Sequence, residues 1–212
     1  MLDGNLSHSH TPQLNLRSLP AVSLELRLSR SLSQAEFRDF CAENRDLRVE
    51  QDKNGKLIII PPVDYEGGIA ESEAFGQLYI WAKAHKTGQV FSPTTGFKLP
   101  DGSTRSADGA FVSPERLAAL APEDRKQFPR LVPDFVIEVR SNSDRLKTLK
   151  KKMTDTWLKN GVRLAWLIDP QNQKAHVYRP GGSETEIANF DGELSGEEVC
   201  PGFVLDLRLF KK

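Results

Sequence analysis

Only two cysteines occur in 212 residues, Cys41 and Cys200. Their separation gives no metal-ligand spacing, so neither a disulfide framework nor a thiolate zinc site is expected. No apolar run has the length of a membrane span, and no segment has the form of a signal peptide. Charge of one sign is also lacking: 29 Lys and Arg balance 29 Asp and Glu. The basic footprint of many dedicated DNA-binding domains is therefore missing, and affinity for nucleic acid would have to come from local patches. There is no internal repeat, and His85 and His176 have no partner at metal-ligand or triad spacing. These absences imply a soluble protein of a reducing cytoplasm, of a length suited to one ordinary domain.

What is present is periodic. Residues 1–20 are rich in Ser, His, Asn and Pro, lack an apolar period and read as a flexible leader, with Ser7-His8-Ser9-His10 more simply tail than metal site. Residues 21–212 read as a single domain. Ser33 followed by Glu36 is a capping-box pattern, and Phe37, Phe40 and Cys41 recur at helical spacing, predicting a helix to about residue 44. Residues 47–51 and 56–60 read as a β-hairpin around Asp52-Lys53-Asn54-Gly55. A second helix is expected over residues 69–86, with Phe75, Leu78, Tyr79 and Ala82 as its apolar stripe. Projected backward, Glu71 falls on the centre of that stripe and Glu73 on the opposite face.

Strands are expected at residues 89–91, 96–99 and 105–113, then a short helix over 114–120 and a polar loop. Ser143 or Asp144 is the expected cap of a helix running to about residue 160, where Gly161 ends it. Residues 163–168, 174–178 and 203–207 read as further strands. The expected class is α/β (α+β): a mixed central sheet flanked by helices, with an N-terminal helix and hairpin.

One strand carries the chemistry. Residues 132–141 read as a buried strand that holds Glu138 and Arg140, and a buried carboxylate without a partner is costly. Alternation puts Val136, Glu138 and Arg140 on one face, and places Asp108 with Ala110 and Val112 on one face of the strand over 105–113. If these strands pair, Asp108 and Glu138 converge. Two close carboxylates repel unless a cation lies between them, and Mg²⁺ suits one or two carboxylates together with water and a phosphate oxygen. A lysine from the following helix would complete the set. A regular helical projection puts Lys150 at the rim of the face defined by Leu146, Leu149, Met153 and Trp157, and points Lys151 away. The bland alternatives are a structural Glu138–Arg140 pair, a turn role for Asp108, a solvated lysine run and core positions for Trp157 and Trp166.

Several stretches together resemble the Uma2 family of restriction-endonuclease-like proteins in the PD-(D/E)XK nuclease superfamily. They are Leu47-Arg48-Val49-Glu50, Gly55-Lys56-Leu57-Ile58-Ile59-Ile60-Pro61-Pro62, Arg105-Ser106-Ala107-Asp108-Gly109-Ala110-Phe111-Val112, residues 133–144, and residues 160–170. The likeness runs from about residue 21 to 207. It implies a restriction-endonuclease-like core and Mg²⁺-dependent hydrolysis of DNA, with Mn²⁺ as a substitute and a homodimer as one assembly. By the same resemblance Asp108 is the first acid, preceded by Ala107 where proline is usual, and Glu138 is the second acid. Arg140 stands where the superfamily lysine is normally found, with a role in contacting phosphate or orienting Glu138.

The lysine is then aligned with Lys152, with Lys150 second, and the stretch over 153–157 is one residue longer than is typical. A local helix bulge would reconcile that alignment with the projection. Glu71 is the expected third metal-side acid. The competing reading is a catalytically inactive nuclease fold serving as a nucleic-acid-binding or assembly module, suggested by Arg140 and the balanced charge. A metal-independent structural protein stands behind both.

Overall fold

The computed structural model describes residues 23–211; the leader expected over residues 1–20 lies outside them. The chain runs β1 (Leu24–Leu26), α1 (Gln34–Glu43), β2 (Arg48–Gln51), β3 (Leu57–Ile60), α2 (Tyr65–His85), β4 (Gln89–Phe91), β5 (Phe97–Lys98), β6 (Thr104–Arg105), β7 (Gly109–Val112) and α3 (Pro114–Ala118). It continues through β8 (Phe135–Val139), α4 (Leu146–Lys151), β9 (Leu164–Asp169), β10 (Lys174–Arg179), β11 (Ser183–Ala188), β12 (Glu193–Ser195) and β13 (Val204–Asp206). The α/β class is as expected, but the strands form two main sheets. One has the order β1-β3-β2-β6-β5 and the other β11-β10-β9-β8-β7-β4, with β12 and β13 paired separately.

The six-stranded sheet is mixed: β8 and β9 are parallel, while β7 and β8 are antiparallel with Gly109 opposite Ile137 and Ala110 opposite Val136. Alternation sorts its two faces. Phe111, Phe135, Ile137 and Trp166 pack with Ala74, Leu78 and Trp81 of α2, while Ala110, Val136, Ala165 and Leu167 pack with Leu149, Met153 and Trp157 on the other side. Each face buries its own apolar set, so a one-residue slip of register would exchange the two sets and expose both.

α1 begins with the predicted capping box, in which Ser33 accepts the Glu36 N–H and Glu36 accepts the Ser33 N–H. The hairpin is also where the pattern places it, closed by Asp52, whose carboxylate accepts the Asn54 and Lys56 N–H groups.

Three expectations are corrected. α2 starts four residues earlier than predicted, because the Asp64 carboxylate accepts the Gly67 N–H at 2.8 Å and holds the Gly67-Gly68 stretch in the helix. Its buried face is Ala70, Ala74, Leu78, Trp81 and Ala82, whereas Tyr79 is exposed and Phe75 lies beside it, the two rings 5.9 Å apart. Small residues face the sheet, and the aromatic pair sits on the flank. α4 takes no cap from Ser143 or Asp144, since Asp144 accepts the Ser141 N–H and hydroxyl instead and the helix begins at Leu146.

The third correction bears on function. The expected strand over residues 105–113 is two strands in different sheets: β6 pairs with β2 and β5, β7 pairs with β4 and β8. Ser106, Ala107 and Asp108 make the crossing. The chain therefore leaves one sheet and enters the other immediately before Gly109, and Asp108 stands at the junction. β1, β11 and β12 were not anticipated.

Candidate active site

The β7–β8 register, extended by one residue beyond the Gly109–Ile137 pair, sets Asp108 against Glu138. Asp108 Oδ2 accepts the Val139 N–H at 2.8 Å, fixing the first acid to the strand that bears the second. Both side chains are buried at the floor of a cleft of about 660 Å³, which Arg48, Glu50, Glu71 and Lys152 also line. A separate recess of about 50 Å³ beside Gln34, Arg38 and Phe128 carries no carboxylate.

Lys152 enters from the far side. The chain after α4 continues as a π-helix over Lys152–Trp157. In a regular α-helix two residues five apart stand about 140° from one another, but here both ends of the π segment reach Glu138. Lys152 Nζ lies 2.8 Å from Glu138 Oε1 and 3.1 Å from Oε2, and Trp157 Nε1–H donates to Oε1 at 2.8 Å. Lys150 instead pairs with Glu184 at the surface. The projection that favoured Lys150 assumed uniform winding; the wider π turn changes the face.

β2 supplies two residues that the sequence reading did not single out. Arg48 and Glu50, two apart on one strand face, both point into the cleft. The Arg48 guanidinium lies 3.3 Å from Asp108 Oδ1. Glu50 accepts the Ser106 N–H at 3.0 Å and the Lys152 ammonium at 3.1 Å. Arg105 Nε is 3.1 Å from Glu50 Oε2, yet it is off-line for a hydrogen bond, so this contact is one of charge rather than a directed bond. The available signal was the Arg48–Glu50 alternation along β2.

The carboxylates do not titrate alike. Burial alone would raise Glu50, but Arg105, Lys152, the Ser106 N–H and Arg48 together hold it down at about 2. Burial raises Glu138 to about 7, with Asp108 and Glu50 adding to the rise and Lys152 opposing it. Glu71, half-buried on α2, is also raised to about 7, by burial first and then by Asp108 and Glu138, against Arg48. The Glu71 carboxylate thus feels both acids, although the stripe from which it was projected is not the buried face of α2.

Arg140 is not brought to the pair. The Arg140 N–H continues the β8–β9 ladder to the Ile168 carbonyl at 2.8 Å, but its guanidinium turns to β9 and binds Asp169 at 3.0 Å and the Asp144 carbonyl at 3.3 Å. Its place near the acids is taken by Arg48 from the other sheet.

The donor set suits a hard divalent cation in one respect. Four carboxylates, Glu50, Glu71, Asp108 and Glu138, face Arg48, Arg105 and Lys152, and burial first, with the neighbouring carboxylates adding to it, raises Glu71 and Glu138 above the usual carboxylate range. Among the described residues no three His, Cys, Asp or Glu side chains are arranged as a complete protein cage for a metal. A cation here would take one or two carboxylates and complete its shell with water and ligand oxygens, which is the usual habit of Mg²⁺.

Comparison with known proteins agrees with this architecture. No curated protein is significantly similar to the chain. A solved structure described as a "putative nuclease belonging to DUF820" from Anabaena variabilis superposes with a TM-score of 0.64 at 20% identity, covering 76% of this chain and 88% of that one. The likeness shows a shared fold. Among the described residues no helix is long and apolar enough to cross a membrane. The profile of the Uma2 family, described as "Putative restriction endonuclease", matches residues 34–208, and the chain belongs to that family.

Proposed function

We propose that the protein is a Mg²⁺-dependent endodeoxyribonuclease, hydrolysing phosphodiester bonds of DNA in the cleft between its two sheets. The observation that carries this reading is the convergence of Asp108, Glu138 and Lys152, from the sheet crossing, β8 and a π-turn, on one buried site open to the cleft. Family membership supports the reaction class.

Asp108 and Glu138 would hold the metal, with Glu71 at its edge. When bound, Mg²⁺ lowers the pKa of a water and neutralises charge on the phosphate. The chain's own residues do the rest. Val139 N–H fixes the orientation of Asp108; Trp157 N–H and Lys152 fix Glu138. Glu50 holds Lys152 from behind, so the ammonium is positioned rather than mobile. The fixed cation, Lys152, faces the place where negative charge would develop, which is where preorganised charge is worth most, and Arg48 lines the same cleft.

Plasmid nicking with Mg²⁺ or Mn²⁺ tests the proposal. Wild type is expected to nick, and Asp108→Asn to fall to background with an unchanged circular dichroism spectrum. Equal cleavage by wild type and Asp108→Asn would defeat the assignment. One observation favours a second reading, a nuclease fold that binds nucleic acid without cutting it: Arg48 and Lys152 already neutralise Asp108 and Glu138 without any metal. DNA binding with no turnover in either metal would decide for it.

A further inference from the structure

Two cations touch the acid pair, and they are held very differently. Lys152 has three acceptors, the Ser106 carbonyl at 2.8 Å and the Glu50 and Glu138 carboxylates, all within 3.1 Å. Arg48 has one carboxylate contact, at 3.3 Å, and its Nε–H is buried without a hydrogen-bond partner. An unmade bond at a buried charged donor is costly, and a site that retains one is poised to accept a ligand. The acids themselves cannot yield: Asp108 is bonded to Val139 N–H, and Glu138 to Trp157 and Lys152. Arg48 is also the cation that enters from the other sheet, on the wall of the cleft, so its head can move without disturbing the β7–β8 ladder.

We propose that Arg48 is a resident counter-ion of Asp108 that a divalent cation displaces, and that the released guanidinium then binds a phosphate oxygen through Nε–H and a terminal N–H. This rests on the metal-dependent reading above and adds a role to it. A guanidinium presents paired donors that match phosphate, which an ammonium does not. The same side chain therefore holds the acids in the metal-free protein and anchors substrate in the loaded one. Bringing a metal to Asp108 and a phosphate to Arg48 become linked events, since each favours the arrangement the other needs.

The test uses the whole protein and two readouts apart from cleavage. Calorimetric titration with Mn²⁺ should show Arg48→Gln binding about tenfold more tightly than wild type, because the competing cation is gone, whereas Arg48→Lys should stay close to wild type. In wild-type protein the Arg48 Nε–H resonance, identified by its loss in Arg48→Gln, should move on addition of Mg²⁺; in Asp108→Asn it should not. Loss of the same resonance in Arg48→Lys identifies it where Arg48→Gln folds poorly. An unmoved resonance in wild type that does bind Mg²⁺, or equal Mn²⁺ affinity in wild type and Arg48→Gln, would overturn the displacement and leave the metal site intact. Absence of any cation binding by wild type would instead remove the metal-dependent reading, and this inference with it.

Discussion

Lys152 and Trp157 close on the same carboxylate, Glu138, from the two ends of a single π-helical segment. The ammonium also sits over the indole, 5.8 Å from the ring centre. One carboxylate oxygen, Oε1, receives both groups, so the winding of this segment positions Glu138 and, through Lys152, opposes the rise in pKa that burial imposes on it.

Trp157→Phe removes the indole N–H while keeping most of the apolar bulk. A hydrogen bond to a charged group is worth about 1.5–3 kcal/mol, and a loss of that order in urea-unfolding free energy is expected. Because the lost bond favours the ionised form, the Glu138 pKa should rise further above its present value of about 7. The pH midpoint for Mg²⁺ binding should therefore move upward in the variant. A destabilised protein with an unmoved midpoint would show that Trp157 acts only through packing.

The two candidate lysines separate cleanly by mutation. Lys152→Met would leave Glu50, Glu138 and the Ser106 carbonyl facing a buried apolar chain, and removing one partner of a buried ion pair costs about 3–5 kcal/mol. Lys150 pairs with Glu184 at the surface, and such pairs contribute about 0–1 kcal/mol. Chemical denaturation of Lys152→Met and Lys150→Met should reproduce that contrast. Similar losses in both would contradict the π-turn geometry.

Much of this site was legible in the sequence, for identifiable reasons. Period-2 alternation put Glu138 with Val136, and Asp108 with Ala110; the sheet packs Val136 and Ala110 on one face, and Asp108, just outside β7, is tied to β8 through the Val139 N–H. The Ser33–Glu36 box and the hairpin turn are local patterns whose hydrogen bonds involve near neighbours, so no tertiary knowledge was required. Lys152 was reachable only through the family resemblance, because projection at a fixed 100° per residue cannot represent a π turn. Arg48 and Glu50 lie 60 and 56 residues from Asp108 and Ser106, in another sheet, and nothing local indicates which sheet wall will face the acids. Arg140 binds Asp169 rather than the acid pair, and that partner lies on β9, 29 residues away, where alternation within β8 does not reveal it.

Glu50 is the hub joining the two sheets. It touches Arg105 in β6, Lys152 in the π segment and the Ser106 N–H at the sheet crossing. Glu50→Gln keeps the shape but removes the charge that offsets two buried cations. An uncompensated buried charge of this kind costs about 3–5 kcal/mol, and a fall in Tm of several degrees is expected. Lys152 would then have Glu138 as its only carboxylate partner. A variant as stable as wild type would mean that the other acids absorb the charge.

The pH dependence of stability follows from the raised acids. Glu71 and Glu138 move from an ordinary value of 4.5 to about 7 on folding, burial being the largest cause in each. The folded state therefore holds more protons than the unfolded state between about pH 4.5 and 7, and the metal-free protein loses stability as pH rises through that window. Glu50 has the opposite sign: held at about 2, it contributes stability above 4.5 that is lost only as pH falls toward 2, outside the window. A divalent cation favours the ionised carboxylates, so its stabilising effect should be greatest above pH 7 and should fade as the two acids protonate. Melting curves at pH 5.5 and pH 8, with and without Mg²⁺, check this directly. The metal-free Tm should be higher at the lower pH as far as these two groups decide it, and the Mg²⁺-induced rise in Tm should be confined to the higher pH. Asp108→Asn should abolish that rise, because it removes one of the two acids proposed to hold the cation. An equal Mg²⁺-induced rise at both pH values would place the bound cation somewhere other than beside Glu71 and Glu138.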